Sequence, residues 1–186
     1  LRSRAACTPP AEWALLVNQL EPAVVVAFAL GNYPQQVRHV NALLAGAPLK
    51  VPSNTATTER PELVAWANGI EGEGARLLAA GVLRLSGHHA EAARLLSQPV
   101  STEWETVRMN ERAALAWHQG KIDDALAIWQ AMPMSAPVAF NLGLSHLVQG
   151  NHAVALPYFK QAATLLPERN AWHHLAELYA ILASRS

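Results

Sequence analysis

Residues 141–167 read NLGLSHLVQGNHAVALPYFKQAATLLP, and this stretch decides the fold. Leu142, Leu144, Leu147 and Val148 recur at helical spacing, and Ala155, Phe159, Ala162 and Leu166 do the same after an interruption. The interruption is Gly150-Asn151-His152. A glycine between two helical patterns reads as the left-handed residue just past a helix C-terminus, a conformation that any Cβ makes costly. The stretch therefore predicts two antiparallel helices, the second closed by Pro167.

Working outward, the same junction recurs at Gly120-Lys121-Ile122, Gly87-His88-His89 and Gly31-Asn32-Tyr33, each between two apolar helical stretches. Gly87, Gly120 and Gly150 lie 33 and 30 residues apart, and Gly31 precedes Gly87 by 56, one period plus an insertion. The insertion is residues 47–60, APLKVPSNTATTER, which reads as a loop leading to Pro61 in the first turn of a helix. Ala125, Leu126, Ile128, Trp129 and Met132 extend the helical periodicity between the two later junctions. Ala and Leu dominate, and alternating strand patterns are hard to find. The chain reads as all-α, with an N-terminal helical segment and loop over 1–60 and repeated helix pairs with a terminal helix over 61–186.

Period and residues together resemble the tetratricopeptide repeat, whose period is about 34. The unit ending at Pro167 carries the resemblance through Leu142, Gly143, Gly150, Ala155, Phe159 and Ala162. Trp172-x-x-Leu175-Ala176-x-x-Tyr179 then resembles the family's W-x-x-L-G-x-x-Y, with Ala for Gly. The Gly120 unit keeps Ala125 and Trp129, but Pro133 shortens its second helix. The Gly87 unit keeps Ala92 and Leu96, and the Gly31 unit only Tyr33 and Val40. The resemblance implies a right-handed superhelical array of antiparallel helix pairs, an α-solenoid of about four pairs with the first degenerate.

It also implies a function without catalysis: a scaffold or adaptor whose concave groove holds a peptide or helix of another protein. Family alignment puts Asn110, Ala114, Trp117 and His118 in that groove, then Phe140, Asn141, Leu144, Leu147 and Val148, then Asn170, His173, His174 and Glu177. Trp117, Phe140 and Leu144 would supply affinity, and Asn110, Asn141 and His118 would fix register. Apolar surface of this kind marks an interaction site unless another helix, such as the N-terminal one, or another chain covers it. The alternative function is self-association through the same surface, as a module of a larger protein. The family's clamp for C-terminal carboxylates finds Asn141 but not its Lys and Arg, so chaperone-tail binding is not expected.

Composition narrows the classes further. The 186 residues hold 14 Lys plus Arg and 14 Asp plus Glu, a zero net charge that argues against a nucleic-acid binder and a polybasic membrane anchor. The longest apolar run, residues 23–30, is far short of the roughly 20 residues of a spanning helix. A soluble protein follows, with the cytoplasm favoured. The chain begins at Leu1, which reads as a piece of a longer one. Cys7 is the single cysteine and excludes an intrachain disulfide framework. No cofactor and no metal site are expected. The eight histidines include the pairs His88-His89 and His173-His174, but adjacent helical residues face apart. His88, His89 and His152 read as solvated or capping turn residues. His118, His146 and His173 would make the groove sensitive to pH near 6.5. Residues 69–74, GIEGEG, read as a break between helices and not a phosphate loop, since Glu71 and Glu73 would repel phosphate.

Overall fold

The computed structural model describes residues 33–48 and 60–185. Gly31-Asn32, Cys7, the apolar run over 23–30 and most of the inserted loop lie outside the described residues. Those described form nine helices and no strand: α1 Tyr33–Leu44, α2 Pro61–Asn68, α3 Glu73–Leu85, α4 His89–Leu96, α5 Thr102–His118, α6 Ile122–Ala131, α7 Ala136–Val148, α8 His152–Thr164 and α9 Ala171–Ser184. The all-α expectation holds for these residues, and none of these helices is long and apolar enough to cross a membrane.

The three glycine junctions close three helical hairpins, α3–α4, α5–α6 and α7–α8, in one geometry. Gly87, Gly120 and Gly150 take φ of 84°, 76° and 78°. After each of them the next backbone N–H reaches five residues back, from His88 to Leu83, Lys121 to Ala116 and Asn151 to His146, at 2.8–2.9 Å. The glycine N–H itself bonds to Arg84, Trp117 or Leu147. This is the paired bonding that satisfies the orphan carbonyls of a helix end. Five residues past each glycine stands a fully buried alanine, Ala92, Ala125 or Ala155. Nine past it stands a buried large side chain, Leu96, Trp129 or Phe159, and seven before it a buried small residue, Ala80, Ala113 or Gly143.

Gly143 shows why that last position is small. A Cβ there would sit 2.9 Å from Cδ1 and Cε1 of Phe159, too close for the helices to cross as they do. Punctuation elsewhere follows the sequence. Pro61 opens α2, and residues 69–72 form the break between α2 and α3, with Glu73 and Gly74 already in the first turn of α3. Pro133 ends α6 by holding Met132 extended at ψ 152°.

The core is three successive clusters, one around α2–α5, one around α5–α7 and one around α7–α9. Helices adjacent in sequence pack together from α2 to α9, and α3 also touches α5. The long-range exception is α1, which packs against α9. Val40 and Leu43 of α1 join the cluster of Phe140, Leu144, Leu147, Leu175 and Tyr179.

Gly143→Ala tests the hairpin crossing. Alanine gains about 1 kcal/mol of helix propensity, but crowding the fully buried Phe159 ring costs about 1–3 kcal/mol. A net loss of up to about 2 kcal/mol in urea unfolding is the expected outcome; a more stable variant would show that the two helices do not cross at this distance.

Candidate functional site

The structure separates the expected groove residues into two groups. Asn110, Ala114, Trp117, Phe140, Asn141, Leu144 and Leu147 are buried, each 5% exposed or less, so the expectation of an open groove over them is corrected. Their helix faces meet neighbouring helices instead of solvent. Ala114 and Trp117 belong to the α5–α7 cluster, and Phe140, Leu144 and Leu147 to the one that α1 joins. Val148 and His118 are partly buried, and Asn170 caps α9 by accepting the Trp172 N–H at 2.9 Å. His173 is partly buried, and His174 and Glu177 are exposed.

The buried polar groups join one hairpin to the next. Asn110 Oδ1 accepts from Trp129 Nε1 at 2.8 Å and from Asn141 Nδ2 at 3.2 Å, linking α5, α6 and α7. Arg84 on α3 makes a two-pronged bond to Glu111 on α5, at 2.9 and 3.3 Å, with both side chains almost fully enclosed. Arg84 Nη1 lies 3.2 Å from His118 Nε2. A guanidinium can only donate, so this His118 nitrogen accepts and the ring is neutral. Gly81 leaves room for the pair, since a Cβ there would meet Glu111 Oε1 at 3.2 Å. The repeat register held a signal for this pair that sequence reasoning missed. Arg84 stands three residues before its glycine, the position that Trp117 and Leu147 fill in the later hairpins, and both of these are buried.

Histidines are less solvated than their turn positions suggest. His88 is 7% exposed, which corrects its reading as a solvated turn residue, and His89 and His152 are partly buried. Burial lowers the pKa of His39, His89 and His146. His39 Nδ1 sits 2.9 Å from the Tyr179 hydroxyl and ties α1 to α9 across 140 residues of sequence. Burial raises the Tyr179 pKa, so its phenol stays protonated.

One open groove of about 830 Å³ lies among α4, α5 and α6, away from the residues expected from the sequence. Leu96, Leu115, Ala116 and Ile128 give it an apolar floor, and Arg108, Arg112, Lys121 and Asp124 line it with charge. Arg108 is held by Glu105 at 2.7 Å and reaches the Gln98 carbonyl. Arg112 and Lys121 are exposed and have no side-chain ion pair among the described residues. Sequence reading missed this groove because its lining comes from three helices, and its charges from α5 and the start of α6, neither of which is basic. No family model, no curated protein and no solved structure matches the chain.

Glu111→Gln leaves the buried Arg84 charge without its counter-ion. A loss of about 3–5 kcal/mol in unfolding free energy is expected, and an unchanged denaturation midpoint would show that the pair is not enclosed. The lowered histidine pKa values set a pH dependence as well. Between the ordinary value of 6.5 and the lower folded value, the unfolded chain binds more protons, so stability falls as pH falls through that window. Hydrogen-exchange protection in α1, measured against the intrinsic rate at each pH, should fall from about pH 7.5 to about 5.5. Equal protection at both pH values would contradict the burial of neutral His39.

Proposed function

We propose that the chain is a non-catalytic protein–protein interaction module, a helical-repeat scaffold of tetratricopeptide type, which takes a peptide segment of another protein along the groove among α4, α5 and α6. The observation that carries this reading is the repetition itself. Three hairpins share one glycine geometry and one pattern of buried small and large positions. Each core cluster lies between neighbouring helices, the nearest-neighbour packing that a right-handed superhelical solenoid requires.

Such an array offers a preformed surface, which lowers the ordering cost of binding an extended or helical segment. The partly exposed Ala116 and Ile128, over the buried Leu96 and Leu115, would seat an apolar side chain of the segment, and Arg112 and Lys121 would orient its carboxylates. The docking of α1 against α9 adds support, because the same chain already buries a short helix against its repeats. No cofactor, membrane span or nucleic acid enters this reading, and the default compartment is the cytoplasm. A second reading is self-association through α9, where Leu178 and Ile181 remain exposed.

Selection from a phage-displayed random peptide library tests both readings. Selected peptides should be enriched in carboxylates beside apolar residues. The charge reversal Arg112→Glu with Lys121→Glu should weaken them about tenfold or more, most strongly at low salt. Peptides that bind the reversed variant equally well would move the site elsewhere. A dimer by light scattering, dissociated by Leu178→Asp with Ile181→Asp, would favour the second reading.

A further inference from the structure

We propose that His173, His174 and Glu177, in the first turns of α9, form a binding site for one divalent transition-metal ion, zinc by its donor set. Two backbone carbonyls hold the His173 ring. Its Nδ1 lies 2.9 Å from the Ala163 carbonyl and 3.2 Å from that of Leu166, at the end of α8 and just beyond. Carbonyl oxygens only accept, so Nδ1 carries the hydrogen. In the neutral ring, Nε2 then presents a lone pair, and it lies 3.5 Å from Glu177 Oε1. A lone pair facing a carboxylate is repulsive unless a cation lies between them: a proton on Nε2, or a metal ion.

Two features favour the metal ion. A histidine that ligates a metal characteristically gives its other ring N–H to a backbone carbonyl, which fixes tautomer and ring direction. His173 is held in that way before any ion arrives. His174 then supplies a second nitrogen, its Nδ1 lying 3.2 Å from Glu177 Oε2. Zinc–nitrogen and zinc–oxygen bonds of about 2.0–2.1 Å put neighbouring ligand atoms of a tetrahedron roughly 3.3–3.4 Å apart. The histidine–carboxylate separations, 3.5 Å to Oε1 and 3.2 Å to Oε2, are close to that edge; one ligand atom from each residue lies within 4.8 Å of the others, so rotation of the exposed His174 and Glu177 side chains would close the set on one ion.

Adjacent histidines face apart on an ideal helix, but here both side chains bend toward the one carboxylate below them. The positive end of the α9 dipole opposes a cation, and Glu177 one turn further in offsets it. Two imidazoles and a carboxylate suit zinc, and the fourth position stays open to solvent. Because His173 also holds the α8 end, a bound ion would stiffen the α8–α9 turn.

Titration of the full chain with Zn²⁺, followed by calorimetry and by thermal unfolding, tests the site. His174 and Glu177 are exposed, so His174→Ala, Glu177→Gln and the double variant should fold, as circular dichroism would verify. The native chain should bind one equivalent at this site and unfold at a higher temperature with zinc present. Each single variant should bind about tenfold more weakly or worse. The double variant should lose that equivalent and the thermal shift. Co²⁺ should give tetrahedral visible absorption with the native chain alone. Zinc binding unchanged in the double variant would overturn the proposal. No binding to the native chain would overturn it too, and would mean that the histidine and carboxylate share only a proton.

Discussion

The Phe159 ring lying against the bare backbone of Gly143 is the contact on which the C-terminal half of the molecule depends. It lets α7 and α8 cross closely and holds the ring where other aromatics can pack on it. Phe159 stacks on Tyr179 at 5.2 Å. Phe140 meets Phe159, Trp172 and Tyr179 edge-on, each at 5.6 Å. Edge-to-face pairs gain more than the area they bury. They also fix angles, so the hairpin and the terminal helix lock as one unit. Tyr179 then offers its hydroxyl to His39, and α1 docks where the aromatic cluster directs it.

Polar groups between hairpins act differently. The Arg84–Glu111 pair and the Asn110–Asn141–Trp129 bonds sit where apolar side chains would stabilise as well or better, because taking charges out of water costs about as much as their attraction returns. What they add is register. A hairpin that slipped by one turn would leave a guanidinium or an amide buried without a partner, a penalty of several kcal/mol. The glycine turns set the shape within each hairpin, and these polar contacts align one hairpin on the next.

Much of the fold was legible in the sequence because it repeats. The positions of Gly87, Gly120 and Gly150, the breaks at Pro61 and Pro133, and the small residue at 143 each have a local physical cause. The candidate site was far less legible. Family positions pointed to Trp117, Phe140 and Leu144 as a groove, yet these are enclosed, because exposure depends on what lies opposite a helix face and not on the face itself. The open groove draws Leu96, Arg112 and Ile128 from three helices, so no window of sequence contains it. The convergence of His173 and His174 on Glu177 was hidden too, since helical geometry sets where side chains leave the backbone and not where they bend.

The apolar surface expected to be a groove is closed from within the chain, by the packing of α5–α7 at Ala114 and Trp117 and, at its C-terminal part, by the cluster that α1 completes against α9. The most direct measurement is the distance between spin labels at the exposed positions Arg38 and Ile181, placed as cysteines in a Cys7→Ser background and read by pulsed electron resonance. The account predicts one short, narrow distance that broadens when Val40, fully buried on α1, is replaced by Asp. A broad, long distribution in the unmutated core would contradict it and leave the α9 face around Tyr179 open to a partner.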